Sequence, residues 1–181
     1  MVDTLIAKMV QYILAFCRII IGLVFAWSFM GKVQDISSFT QTIDHFKLLP
    51  ETLQRPMAFV FLGGELVVLG IMVVGGKLLI WGFLLAGLLL TLFSIGLISV
   101  LIRKIRTPCN CFGSSRKLIS PFDVIRNTIL LLFSFSGYTL LTMTSGSSAN
   151  LGLLDWGLVS TMAIVFVITL IQLDDIIKLF R

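Results

Sequence analysis

From Leu78 to Ile102 the chain runs 25 residues without one charged side chain. A run of that length has one comfortable home. A helix needs about 20 mostly apolar residues to cross hydrocarbon, where only internally bonded backbone survives. Four more stretches have the same character: about Met9 to Met30, which contains Arg18; about Met57 to Gly76, which contains Glu65; about Asn127 to Thr144; and Trp156 to Leu173, the shortest. The spacing therefore predicts an all-α integral membrane protein with five crossings, forming a single polytopic membrane domain over residues 1–181. Charged residues make up only 13% of the chain, against about 25% in soluble domains. That excludes an ordinary soluble globule and a disordered chain. It also assigns the basic excess, 14 Lys and Arg against 9 acids, to loops around a bilayer rather than to nucleic acid. The first apolar stretch is too long for a cleaved signal peptide, and no small-residue cleavage site follows it.

The connections differ in kind. Gly75-Gly76-Lys77 is a tight turn that makes helices two and three an antiparallel hairpin. Lys32 to Pro56 is a long polar loop. Within it Ile36, Phe39, Ile43 and Phe46 recur at helical spacing over about 35–49, with Asp35 as cap and Pro50 as stop. This reads as an amphipathic helix on the membrane surface, an interfacial anchor in preference to a lid. His45 beside Phe46 reads as a solvated surface histidine. Residues 103–126 form a basic loop holding two cysteines, and Ser145 to Asp155 is small and polar. The side of the two long loops carries 11 Lys and Arg against 2 on the other side. The positive-inside rule places that side in the cytoplasm.

Arg18 and Glu65 resist a bland explanation, because a charge at the bilayer centre costs about 2.5–3.5 kcal/mol on the insertion scale. Counted from the loop-poor side, Arg18 lies about 14 Å and Glu65 about 16 Å deep by helical rise. The equal depth predicts a buried pair that fixes helix register, or a proton or quinone site beside it. Gly63 and Gly64 would open room for the arginine. Gly22 with Ala26 and Gly82 with Ala86 have the small-xxx-small spacing of close helix packing.

The sharpest chemical feature is Thr107-Pro108-Cys109-Asn110-Cys111-Phe112-Gly113. Arg103, Lys104, Arg106, Arg116 and Lys117 surround the two thiols, and positive charge raises the thiolate fraction. A disulfide across one intervening residue closes a small strained ring, which suits exchange better than scaffolding. Inert loop thiols and half of a zinc site with His45 are the other readings. Cys17, deep in helix one, reads as a membrane-buried thiol and a poor disulfide partner. No metal site is expected, since three cysteines and a single histidine offer few ligands.

Arg18, Gly31-Lys32, Leu49-Pro50, Glu65, Cys109-x-Cys111-Phe112-Gly113 and Arg126-Asn127 together resemble the MauE family, the methylamine-utilisation membrane proteins, within the DoxX-like superfamily. The last crossing, after Ser145, is less clearly part of the shared core. The resemblance implies a four-helix transmembrane bundle in the layout of vitamin K epoxide reductase, with the fifth helix added. It implies thiol–disulfide electron exchange in the cell envelope, with a thioredoxin-like partner and a secreted client protein. Cys109 and Cys111 would then be the catalytic pair, and a quinone near Arg18 and Glu65 the implied cofactor. The localisation implied is multi-pass in a cell membrane, the bacterial inner membrane, with the cysteine loop outside, against the charge count. The epoxide-reductase pattern has a second, shuttling cysteine pair; this chain has none, so a thiol-bearing partner is needed. Two rivals are a non-catalytic assembly or chaperone subunit, and a small transporter or immunity-type protein using Arg18 and Glu65.

Overall fold

A computed structural model describes residues 2–37, 39–40, 51–103, 121–143 and 152–172. They form helices α1 (Val2–Gln34), α2 (Glu51–Val74), α3 (Leu79–Ile102), α4 (Pro121–Met143) and α5 (Leu153–Ile171), with one 3-10 turn, Gly76–Leu78, between α2 and α3. All five helices are long and apolar enough to span a membrane, and the described residues contain no strand. The chain is an α-helical, multi-pass membrane protein. Leu88, Leu132, Phe135 and Met162 lie on the outer surface with more than half of their area exposed. In water such a rim would be intolerable; against lipid tails it costs nothing.

Helices α1 to α4 close a ring: α1 packs on α2, α2 on α3, α3 on α4 and α4 on α1. This is the expected four-helix bundle. Helix α5 sits outside it, against α1, where Phe16, Phe133 and Phe166 meet edge to face with centroids 5.3–6.0 Å apart. Ile20 and Ile21 of α1 are completely buried at the bundle axis.

Lipid supplies no driving force between apolar helices, so close approach has to come from small residues and buried hydrogen bonds. Gly82 lies so near α2 that a Cβ there would stand 2.7 Å from Ile71 Cγ2. At Gly137 of α4 it would stand 2.5 Å from the Phe83 ring of α3. One turn before Gly137, Ser134 Oγ donates to the Phe83 carbonyl at 2.7 Å. The hairpin turn uses left-handed backbone at Gly75 (φ 77°) and Gly76 (φ 69°), a region that residues with a Cβ avoid.

Two helices begin earlier than hydropathy placed them. Helix α1 starts at Val2 rather than near Met9, running on beyond its apolar stretch. Helix α4 starts at Pro121, six residues before Asn127. Proline suits a first helical position, and Arg126 is neutralised within the helix by Asp123 at 3.0 Å. The long loop also departs from a purely surface-bound helix. Ile36, Ser37 and Thr40 are helical and accessible, but Phe39 is buried among Ala58, Leu62, Phe93, Leu97 and Val100. It plugs the bundle between α2 and α3. The remainder of the expected interfacial helix, residues 41–49, lies outside the described residues.

Candidate functional site: a buried charge cluster in the bundle

Glu65 is in the middle of the membrane-spanning part of α2, Pro56–Val74, and is buried. Its partner is Lys32, near the C-terminal end of α1. Lys32, expected at the head of a polar loop, is only 2% exposed. Helix α1 carries it inward, and its ammonium also stands over the rings of Phe39 at 4.9 Å and Phe93 at 5.1 Å. Ser28, one turn before Lys32, donates to the same carboxylate oxygen, Glu65 Oε1, at 3.1 Å.

The expected Arg18–Glu65 pair does not form. Arg18 donates from Nε to the Met72 carbonyl at 2.6 Å and from Nη2 to the Val73 carbonyl at 2.9 Å. Those carbonyls close α2, where helix acceptors lack intrahelical donors and the helix dipole favours a cation. The guanidinium also lies 5.6 Å over the Trp156 ring of α5. The depth argument failed because it set the start of α1 level with the end of α2, whereas α1 extends N-terminally well past that end. Arg18 is instead level with the C-terminal end of α2, and Glu65 lies seven residues before Met72, about 10 Å further in by helical rise. Gly63 and Gly64 make no room for the arginine; Gly75 does, its Cβ position falling 2.8 Å from Arg18 Nη2. Beside this clasp Tyr12 donates to Asp155 at 2.8 Å, tying α1 to the first turn of α5. Cys17, next to Arg18, is 1% exposed, as its depth implied.

Around the Lys32–Glu65 pair lies a cavity of about 30 Å³, lined by Ser28, Lys32, Phe61, Glu65, Phe93 and Asn127 among others. Asn127 comes from the second turn of α4 and is 1% exposed. Neither its Oδ1 nor its Nδ2 has a hydrogen-bond partner, and the second carboxylate oxygen, Glu65 Oε2, has none either. Sequence reasoning singled out Glu65 as a buried charge, but placed Lys32 at the head of a loop and gave Asn127 no role beyond opening a helix and, like Lys32, carrying the family resemblance. The available signal was their shared helical phase with the apolar faces of α1 and α4.

Cys109 and Cys111 lie outside the described residues, as does His45. The helices at either side of their loop, α3 ending at Ile102 and α4 beginning at Pro121, pack against each other along the bundle.

No curated protein and no solved structure matches this chain. A family model does: that of methylamine utilisation protein MauE matches residues 10–141. The matched stretch holds Arg18, Lys32, Glu65, Cys109, Cys111 and Asn127, runs through α1 to α4, and stops short of α5. By that match over most of its length, the chain belongs to the MauE family.

Proposed function

We propose that this MauE-family membrane protein exchanges electrons with a thioredoxin-like partner through Cys109 and Cys111, in support of the maturation of envelope or secreted proteins. In that exchange a thiolate of one protein attacks the disulfide of the other. A mixed disulfide forms, the second thiol resolves it, and one dithiol is oxidised as one disulfide is reduced. The observation that carries this reading is the family match, which encloses Cys109-x-Cys111-Phe112-Gly113 in its basic setting. Cationic surroundings raise the thiolate fraction, which is the reactive form. The absence of a second cysteine pair makes the partner a requirement. The reading puts the protein in a bacterial inner membrane. It gives the electron pair a lipid-soluble carrier, a quinone. Of the two residues first expected to meet that quinone, Arg18 is committed to carbonyls, while Glu65 keeps one oxygen without a partner.

The test is a redox titration of the purified protein in glutathione buffers, with alkylation and mass spectrometry of each thiol. The expected result is that Cys109 and Cys111 convert together between an alkylatable and an oxidised form. A Cys109→Ser or Cys111→Ser variant should trap the partner as a mixed disulfide. Thiols that never change state across the range, or full activity in the double Cys→Ser variant, overturn it and favour an assembly subunit.

A further inference from the structure

Along the outer seam of α3 and α4 runs a groove of about 360 Å³. Gly87 and Ser134 hollow it out, and Leu84, Leu88 and Phe135 form rims that lie on the surface of the bundle. It extends from Phe83 to Thr91 on α3 and from Tyr138 to Leu131 on α4, about 12 Å and 11 Å by helical rise. Both helices put it at the same depth. Thr91 and Leu131 stand at the middle of α3 and α4, while Phe83 and Tyr138 stand toward their loop-poor ends. Exposed Trp81, two residues beyond Phe83, is placed where tryptophan marks a membrane interface. The groove therefore takes up most of the hydrocarbon of one leaflet, which is about 15 Å, half of the bilayer core.

At that depth no water fills a hollow, and bare walls forfeit their dispersion contacts. Volume over length leaves a cross-section of about 30 Å². That suits one hydrocarbon chain; a helix about 10 Å across needs about 80 Å². The hydroxyls at mid-depth ask for no polar ligand, because Thr91 donates to the Gly87 carbonyl at 2.7 Å and Ser134 to the Phe83 carbonyl at 2.7 Å. The outer end is positive. Lys77, in the turn ahead of α3, is exposed and precedes Leu84, Leu88 and Thr91 by 7, 11 and 14 residues, the spacing of one helix face. No acid faces it along the seam: α3 has no charged residue, and α4 has only Asp123 and Arg126, at its opposite end. The acids of the loop-poor side, Asp3 and Asp155, belong to α1 and α5. We propose that the groove seats one acyl chain of a phospholipid from the loop-poor leaflet, with Lys77 against its phosphate. The cysteine loop joins α3 and α4 at their other ends, so the lipid site stands apart from the electron exchange.

The experiment reconstitutes the full chain in nanodiscs of phosphatidylglycerol and phosphatidylcholine, releases it into mild detergent and weighs the retained lipid by native mass spectrometry. The wild type should keep one phospholipid, phosphatidylglycerol ahead of phosphatidylcholine. Thr91→Phe and Leu88→Trp each put a ring into the groove from an exposed position and should lose it. Both leave the Ser134–Phe83 bond in place, and an unchanged thermal midpoint identifies the loss as loss of the site; if one variant does not fold, the other decides. Lys77→Gln should keep the lipid but narrow the preference for phosphatidylglycerol about fivefold, the effect of one basic residue near a charged bilayer surface. A lipid-free wild type, a lipid-free dimer, or a lipid retained by the filled variants overturns the groove as its seat. An unchanged preference in Lys77→Gln overturns the phosphate contact.

Discussion

If Lys32 rather than Arg18 is the partner of Glu65, a pair of double-mutant cycles has to separate them. Both members of the Lys32–Glu65 pair are inside the bundle, with side-chain exposures of 3% and 7%. Solvent therefore screens neither. Breaking a buried pair by removing one partner costs about 3–5 kcal/mol, while replacing both by apolar residues is often neutral or better. The environment makes the two single changes unequal. In Glu65→Leu the ammonium keeps two aromatic rings, each such contact worth about 0.5–2 kcal/mol, so the loss should fall at the lower end, about 3 kcal/mol. In Lys32→Met the carboxylate keeps Ser28 alone, and the loss should approach about 5 kcal/mol. The double variant should lose far less than the sum. In the second cycle, Arg18→Met with Glu65→Leu, the two sites lie about 10 Å apart by helical rise, and the losses should add to within about 0.5 kcal/mol. Denaturant unfolding in mixed micelles, followed by circular dichroism, reads both cycles. A coupling larger for Arg18–Glu65 than for Lys32–Glu65 would refute the assignment.

Other changes test the packing. Gly137→Ala drives a methyl into the buried Phe83 ring; a loss of about 1–3 kcal/mol is expected, partly restored by Phe83→Leu, in the same unfolding assay. Arg18→Met removes two hydrogen bonds to carbonyls. Bonds to charged groups are worth about 1.5–3 kcal/mol each, but one of the two is exposed, so a total near 2 kcal/mol is expected, with faster amide exchange at the end of α2. Phe39→Ala should cost about 3–5 kcal/mol and speed hydrogen exchange around Lys32, which is read by mass spectrometry; an unchanged rate would mean that Phe39 does not close the bundle.

Hydropathy made the architecture legible, because a span of about 20 apolar residues has few alternatives. The hairpin followed from Gly75-Gly76 and the buried thiol from the depth of Cys17. The helix starts did not follow, since a helix continues past the edge of its apolar stretch wherever polar side chains reach water or each other, as Asp123 and Arg126 do in α4. The relative level of the helices was lost with them. Helix α1 overshoots the end of α2, which brings Arg18 to that end, and it continues past Met30 to Gln34, which draws Lys32 into the bundle; with Arg126 also buried in α4, nine rather than 11 basic residues are left on the loop-rich side. The place of Asn127 in the cluster stayed hidden for another reason: an uncharged residue in an apolar helix reveals nothing of its neighbours until the other helices are in place.

The cluster is also informative for what it does not do. Two charges in the membrane interior each cost about 2.5–3.5 kcal/mol to insert. Their mutual attraction offsets this, yet an apolar pair of the same volume would commonly be as stable or more so. Asn127 adds two polar atoms that no side chain satisfies, and Ser28 and Lys32 crowd onto one oxygen while the other is left open. An arrangement selected only to lock helix register would saturate the carboxylate and leave no cavity beside it. Arg18 illustrates that purely structural solution: it is packed against carbonyls and a ring at a helix end, where the field already favours it. Within one helix, then, two cations serve opposite ends. Arg18 closes a contact, and Lys32 holds one oxygen of a carboxylate whose other oxygen is buried without a hydrogen-bond partner.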